Sequence, residues 1–234
     1  IYEYDYITIE GERFYVIGDK KHHGSYQAFG MAFPNEQTPS LRMEKLPKLS
    51  ESAKEYKSFT SERYPEVSVK VAPNKNLMDF LETYPLCTWD YYAYASLSES
   101  AKKELYPILR TKIANKSVVD AANILINFVQ TAFEYMTDGE QFGYERPLFG
   151  NEIFYYPFSD CEDRSILYSV LVHDLLGLDV LLLHFPGHLA TAVYFPEEVD
   201  GTYLTLDGKK YIVCDPTYIN ADIEECMPEY IEED

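Results

Sequence analysis

Three residues of this sequence have the types and the order of a thiol-based catalytic triad. Cys161 lies in S-D-C-E-D-R (Ser159 to Arg164), His188 follows Pro186-Gly187, and Asp215 precedes Pro216. A cysteine attacks only as its thiolate, so such a nucleophile needs a lowered pKa. A helix N-terminus supplies this through unpaired N–H groups and the positive end of the helix dipole. Ser159 and Glu162 stand at capping-box spacing, with Asp160 and Asp163 as a shifted alternative. Either places Cys161 in the first turn, with its side chain at the helix mouth. A histidine could take the thiol proton, and an aspartate could fix the imidazole tautomer and orient the ring. The acidic neighbours act against this, because negative charge at Asp160 and Glu162 raises a thiol pKa. Either a cationic His188 outweighs them, or these acids cap the helix or bind a cation such as Ca2+.

The remaining thiols and imidazoles read as structural. Cys214 lies inside the strand-like Tyr211-Ile-Val-Cys and fits a small buried hydrophobe. Cys87 and Cys226 have no constellation, and no C-x-x-C pair gives zinc-site spacing. His22 and His23 sit in a basic loop, His173 lies late in a helix, and His184 is near a strand end.

The second half of the chain must position the three residues. A helix is expected from Cys161 to about Leu176, stopped by Gly177, with Ile166, Leu167, Val170, Leu171 and Leu175 buried. The period then switches to two. Leu178 to Phe185 reads as a near-continuous apolar strand, Pro186-Gly187 as a turn, and His188 to Phe195 as a second strand. Tyr203 to Leu206 and Lys209 to Val213 flank Asp207-Gly208, a hairpin signal. Helices followed by an antiparallel sheet make an α+β layout. The layout carries a geometric condition. On parallel strands His188 and Asp215 would lie roughly 20 Å apart, at about 3.3 Å per residue. They meet only if Lys210 to Cys214 runs antiparallel beside His188 to Phe195, with Tyr203 to Leu206 an excursion beyond that pair.

The first half is less regular. Tyr2 to Ile9 and Arg13 to Ile17 read as a hairpin around Gly11, and Ser25 to Phe33 as a third strand. Pro34 to Glu66 reads as a long loop or arm with one short helix near Ser50 to Phe59. Val67, Val69 and Val71 alternate with polar residues as a further strand. From Asn76 the pattern is helical, with a short element over Leu77 to Glu82. Ser96 and Glu99 then have capping-box spacing for a helix that Pro107 should kink or split. Ser117 caps an amphipathic helix carrying Val118, Ala122, Leu125, Val129, Ala132 and Met136 to near Asp138-Gly139. Gln141 to Phe158 is irregular and rich in aromatics, either a cleft-lining loop or one packed on the core. The expected division is a β-rich region over 1–75 and a core over 76–234 that ends in an acidic, solvated tail.

The chain has 234 residues and a formal net charge of −19, from 20 basic and 39 acidic residues. That balance argues against nucleic acid as partner, because phosphates are bound by Lys and Arg. No apolar run spans a bilayer; Leu175 to Phe185 is too short and contains Asp179 and His184. The chain opens on Ile1, as a processed chain would. With a signal peptide removed, its setting would be extracytoplasmic, periplasmic or secreted.

Taken together, D-C-E-D-R-S at a helix start, G-H opening a strand and D-P-T-Y closing another resemble the transglutaminase-like superfamily. The order Cys, His, Asp is that of the family, and 27 residues separate each from the next. The helix F-V-Q-T-A-F-E-Y before the nucleophile is similar as well, and the likeness covers residues 76–220. It implies a papain-like core in which Cys161 is the nucleophile, His188 the general base and acid, and Asp215 the orienting acid. The chemistry implied is acyl transfer through a thioester, in a bacterial-type cysteine peptidase or amidase acting on a protein or peptide. Many members carry Trp two residues after the His, where this chain has Ala190. The side-chain oxyanion donor has no clear match; besides the Cys161 N–H, the candidates are Gln141, Tyr155 and Tyr156. No cofactor is required, although some members with D-C-E-D need calcium, which points to Asp160 and Glu162 as Ca2+ ligands. Two other readings stay open. One is an inactive binding module that holds a peptide or glycan on the Tyr-rich loop. The other is a protein cross-linking transglutaminase.

Overall fold

The computed structural model describes residues 6–9 and 12–15 as backbone, together with 35, 42–43 and 45–230. The third strand expected over Ser25 to Phe33, the turn at Gly11 and the histidines His22 and His23 lie outside the described residues. The N-terminal hairpin is present as β1 (Tyr6–Ile9) antiparallel to β2 (Glu12–Tyr15), with Tyr6 opposite Tyr15.

The arm before residue 66 departs from expectation. No helix forms over 50–59; instead Lys57–Thr60 is a strand, β3, paired antiparallel with β4 (Ser68–Val71). The reason is Phe59. It alternates with exposed neighbours, as Val67, Val69 and Val71 do, and the four side chains enter one core with helices from later in the chain.

Helix α1 (Lys75–Glu82) is capped by Asn74, whose side chain accepts from the Asn76 N–H. A helix absent from the sequence reading follows, α2 (Trp89–Tyr94), with Tyr91 and Tyr92 buried. In α3 (Glu99–Ile113) the cap is Ser98, which accepts from the Ala101 N–H, and not Ser96. The Ser96 hydroxyl goes instead to Asp174, which also accepts from Tyr106. The helix is a single element across Pro107, whose C=O accepts from the Thr111 hydroxyl. Ser117 caps α4 (Val118–Thr131) through the Asp120 N–H.

Helix α4 ends seven residues before Asp138-Gly139, so Met136 lies outside it. Arg164, buried on a later helix, takes the end of α4 as its ligand. It donates to the carbonyls of Gln130 (3.0 Å) and Phe133 (2.7 Å). The chain then pairs in parallel, β5 (Glu134–Tyr135) beside β6 (Phe158–Ser159), with the short α5 (Asp138–Gln141) between.

Helix α6 (Cys161–Leu176) ends at Gly177, which adopts the left-handed conformation at φ +69°. The expected apolar face is too narrow a description, because nearly every residue from Glu162 to Val172 is buried. The helix is central, packed against α2, α4 and the sheet. That sheet has four antiparallel strands in the order β7 (Val180–Phe185), β8 (His188–Tyr194), β10 (Lys209–Cys214), β9 (Tyr203–Leu206). The expected antiparallel pairing holds: Cys214 lies opposite Thr191 and Tyr211 opposite Tyr194, with β9 on the outer edge. Asp207 (φ 50°) and Gly208 (φ 76°) make the two-residue turn that the sequence announced.

The protein is therefore α+β. Among the described residues no helix is long and apolar enough to cross a membrane. The C-terminal stretch is not a frayed tail over most of its length. Ile223 and Cys226 are buried, and a 3-10 turn closes it at Pro228–Tyr230.

Candidate functional site

Gly187 turns the chain at φ +72°, a conformation costly for any residue with a Cβ, and delivers His188 as the first residue of β8. The strand is held to α6 beside this point by the buried Ser165 hydroxyl, which donates to the Leu189 carbonyl at 2.8 Å. The small side chains Ala190 and Ala192 are almost wholly buried, so helix and strand approach closely. At the end of β10, Gln130 of α4 donates to the Asp215 carbonyl at 3.0 Å. Asp215 Oδ1 accepts from the N–H groups of Thr217 (2.8 Å) and Tyr218 (3.2 Å). Asp215 Oδ2 is thereby aimed at His188 Nε2, 2.8 Å away, with both residues buried. The expected His–Asp pair thus exists, and among the described residues Nδ1 has no hydrogen-bond partner.

Cys161 is the first residue of α6. Asp160 is the cap, and its N–H donates to Asp163 Oδ2 at 3.3 Å. The shifted alternative therefore holds, and Ser159 is instead buried with its hydroxyl accepting from Arg164 Nε at 3.2 Å. Cys161 and His188 both line one cleft of about 240 Å3, together with Trp89, Tyr135, Glu145 and Glu162. The Leu189 N–H faces the sulfur and favours its anion.

The electrostatics oppose a thiolate. Burial pushes the Cys161 thiol well up from its ordinary range, and Glu162 adds to this by charge and by accepting the thiol proton at 3.1 Å. The acidic neighbours do not take the leading part. Burial in fact comes first, and Asp160 contributes least of the causes. Tyr135, half-exposed across the cleft, is pushed up to about 12 by burial and by the charges of Cys161, Asp160 and Glu162. Cys87, Cys214 and Cys226 are buried.

Gln141, Tyr155 and Tyr156 do not reach the cleft. The Gln141 amide is spent on Phe158, donating to its carbonyl and accepting from its N–H. Tyr156 accepts from buried Arg146 at 3.0 Å, and Tyr155 packs on the cluster around α1 and α2. Arg146 itself pairs with buried Glu152 at 2.7 Å. The cleft instead receives Trp89 and Tyr135, which sequence reasoning passed over. Trp89 lies on the unanticipated α2, and Tyr135 on a two-residue strand too short to show a period.

Behind the sulfur is a nest of carboxylates. Oxygens of Asp138, Asp160 and Asp163, all buried, lie within 4.8 Å of one another, and so do those of Asp138, Glu145 and Glu162. Asp138 Oδ2 accepts from the Arg146 N–H, Asp160 Oδ2 from the Asp138 N–H (3.2 Å), and Asp163 Oδ1 from the Leu148 N–H (2.7 Å). The Oδ1 atoms of Asp138 and Asp160 are buried without any partner. Burial first, then neighbouring negative charge, raises Asp138 to about 8 and Glu162 to about 9. An all-oxygen set with two orphaned acceptors fits a hard cation such as Ca2+, which takes 6–8 oxygens. The two ligands expected from sequence fall in separate groups joined by Asp138. In the sequence Asp138 shows only the signal of a helix end. It enters the nest from α5, Glu145 from the loop that follows, and Asp160, Glu162 and Asp163 from the cap and first turn of α6, and no sequence spacing displays that meeting. Comparison of the chain with protein-family models, curated proteins and solved structures returns no match, so what this site can do rests on its own residues and geometry.

Proposed function

We propose that the protein is a thiol-dependent acyl-transfer enzyme on a papain-like, transglutaminase-like core. It acts on amide or peptide bonds as a cysteine peptidase or amidase. The observation that carries this reading is the buried His188–Asp215 hydrogen bond at 2.8 Å, set at the mouth of the helix that begins with Cys161. That bond commits Nε2 to Asp215 and leaves Nδ1 for the thiol proton. Cys161 Sγ, losing its proton to His188, bonds to the substrate carbonyl carbon. The C–N bond breaks as the imidazolium gives its proton to the leaving amine. Water, deprotonated by His188, then releases the acid and restores the thiol; an amine in place of water would give cross-linking instead.

The carboxylate nest belongs to the same reading. Asp138, Asp160 and Asp163, with Glu145 and Glu162 at the outer edge, would hold a divalent cation. Such an ion, when bound, neutralises the negative charge beside the sulfur. Burial and Glu162 push the thiol up, which also suits a non-catalytic binding module.

Iodoacetamide alkylation followed by peptide mass mapping tests the proposal. Preference for Cys161 is not enough, since the other three thiols are buried. The expected result is a Cys161 rate that follows a pH curve and drops at least about tenfold in His188→Ala. A rate indifferent to His188 supports the binding module and sinks the triad.

A further inference from the structure

The segment after Asp215 returns to the imidazole. It is anchored on α4 as it goes: Gln130 donates to the Ala221 carbonyl at 3.1 Å, and Asn123 accepts from the Ile223 N–H at 2.9 Å. Cys226 is buried, and the turn Pro228–Tyr230 then lays the Tyr230 ring on His188. The two rings are 5.0 Å apart and within 7° of parallel. Tyr230 also stacks on Phe185, the β7 residue paired with His188, at 4.8 Å and 26°. No other aromatic ring in the described structure lies so nearly parallel to its neighbour. Tyr230 does not line the cleft, so it covers the imidazole without blocking the approach to the sulfur.

We infer that Tyr230 is a positioning residue for His188: its ring fixes the plane of the imidazole and keeps water from the His188–Asp215 hydrogen bond. A parallel π face over the ring favours its cationic form, and a dry hydrogen bond to Asp215 does the same. Both effects act at the step in which His188 carries the proton. The inference rests on the role proposed for His188, and its test separates the two.

Two measurements are made on Tyr230→Leu, which keeps apolar bulk but no ring, and on Tyr230→Phe, which keeps the ring. The first is the His188 imidazole titration by NMR in a Cys161→Ala background, which needs no activity. Asp215, Asp138, Glu145, Asp160, Glu162 and His184, the charged groups around the ring and the cleft, are the same in every sample. Tyr230→Leu is expected to lower the His188 pKa by about half a unit, and Tyr230→Phe to leave it in place. The second is the iodoacetamide rate at Cys161, expected to fall roughly 3- to 10-fold in Tyr230→Leu and to be kept in Tyr230→Phe. Thermal unfolding confirms that each variant is folded. An unmoved or rising His188 pKa in folded Tyr230→Leu overturns the inference. A shifted pKa with an unchanged alkylation rate keeps the stack but removes the proposed triad.

Discussion

The two sides of the cleft are built on opposite principles. On the sheet side the carboxylate and the carbonyl of Asp215 are engaged: Oδ2 by His188, Oδ1 by two backbone N–H groups, and the carbonyl by Gln130. On the helix side five carboxylates crowd together, and two of their buried oxygens have no partner. A satisfied buried network stabilises and orients what it holds, whereas uncompensated buried charge costs stability. The sheet side is complete within the chain. On the reading proposed above, the helix side would hold a divalent cation.

The contrast breaks most sharply at Asp215. Asp215→Ala removes three hydrogen bonds and leaves His188 buried without its acceptor. A loss of about 3 kcal/mol in urea unfolding is expected, within the range for breaking a buried charged pair. The same neutralisation on the other side should have the opposite sign. Asp138→Asn keeps an oxygen to accept from the Arg146 N–H and, unlike Asp138, need not take up a proton on folding. In EDTA its Tm should rise by about 2–6 °C. In CaCl2 the stabilisation that wild type gains should be missing. A destabilised Asp138→Asn in EDTA would mean that the nest is as settled as the Asp215 side.

The nest also gives the pH dependence a sign. In the folded chain Asp138 titrates at about 8 and Glu162 at about 9, above the ordinary carboxylate values near 4. A raised folded pKa means that the folded state holds these protons more tightly than the unfolded chain. Its stabilising contribution is complete below about pH 4 and is lost as pH rises through 8 and 9. In EDTA the urea midpoint should therefore fall from pH 5 to pH 9. Asp138→Asn should flatten that fall, and Asp215→Asn should not.

What was legible in the sequence follows the same division. The sheet side was readable because its signals are local and periodic: the two-residue turn at Asp207-Gly208, the stop at Pro216 and the turn at Gly187. One geometric condition, the antiparallel pairing of β8 with β10, then brought His188 to Asp215. The helix side depends on contacts that no spacing reveals. Asp138 reads as a helix end because the stripe of α4 seems to run on to Met136. Only the long-range bonds of Arg164 to Gln130 and Phe133 show where that helix stops. Phe59 was lost in a polar arm for a similar reason, since it is the single apolar residue of its strand, beside Lys57, Ser58 and Thr60, and shows no alternation. Tyr230 was hidden by its acidic surroundings, which have the composition of a solvated tail.

The smallest expected effect lies where the two sides meet. Cys161 Sγ is 3.1 Å from Glu162 Oε2 and faces the Leu189 N–H, so it is pulled by both. Glu162→Gln keeps an oxygen that can accept from the thiol but cannot ionise. Burial, the larger cause of the raised thiol pKa, is unchanged. The thiol should remain harder to ionise than a free cysteine, yet its alkylation above pH 9 in EDTA, where Glu162 is ionised in wild type, should rise about tenfold, one unit of pKa. CaCl2 should raise the wild-type rate in the same direction and add little to Glu162→Gln, whose charge is already gone. If Glu162→Gln alkylates at the wild-type rate, burial alone holds the thiol neutral. The carboxylates would then govern the stability of the helix mouth and not the reactivity of its cysteine.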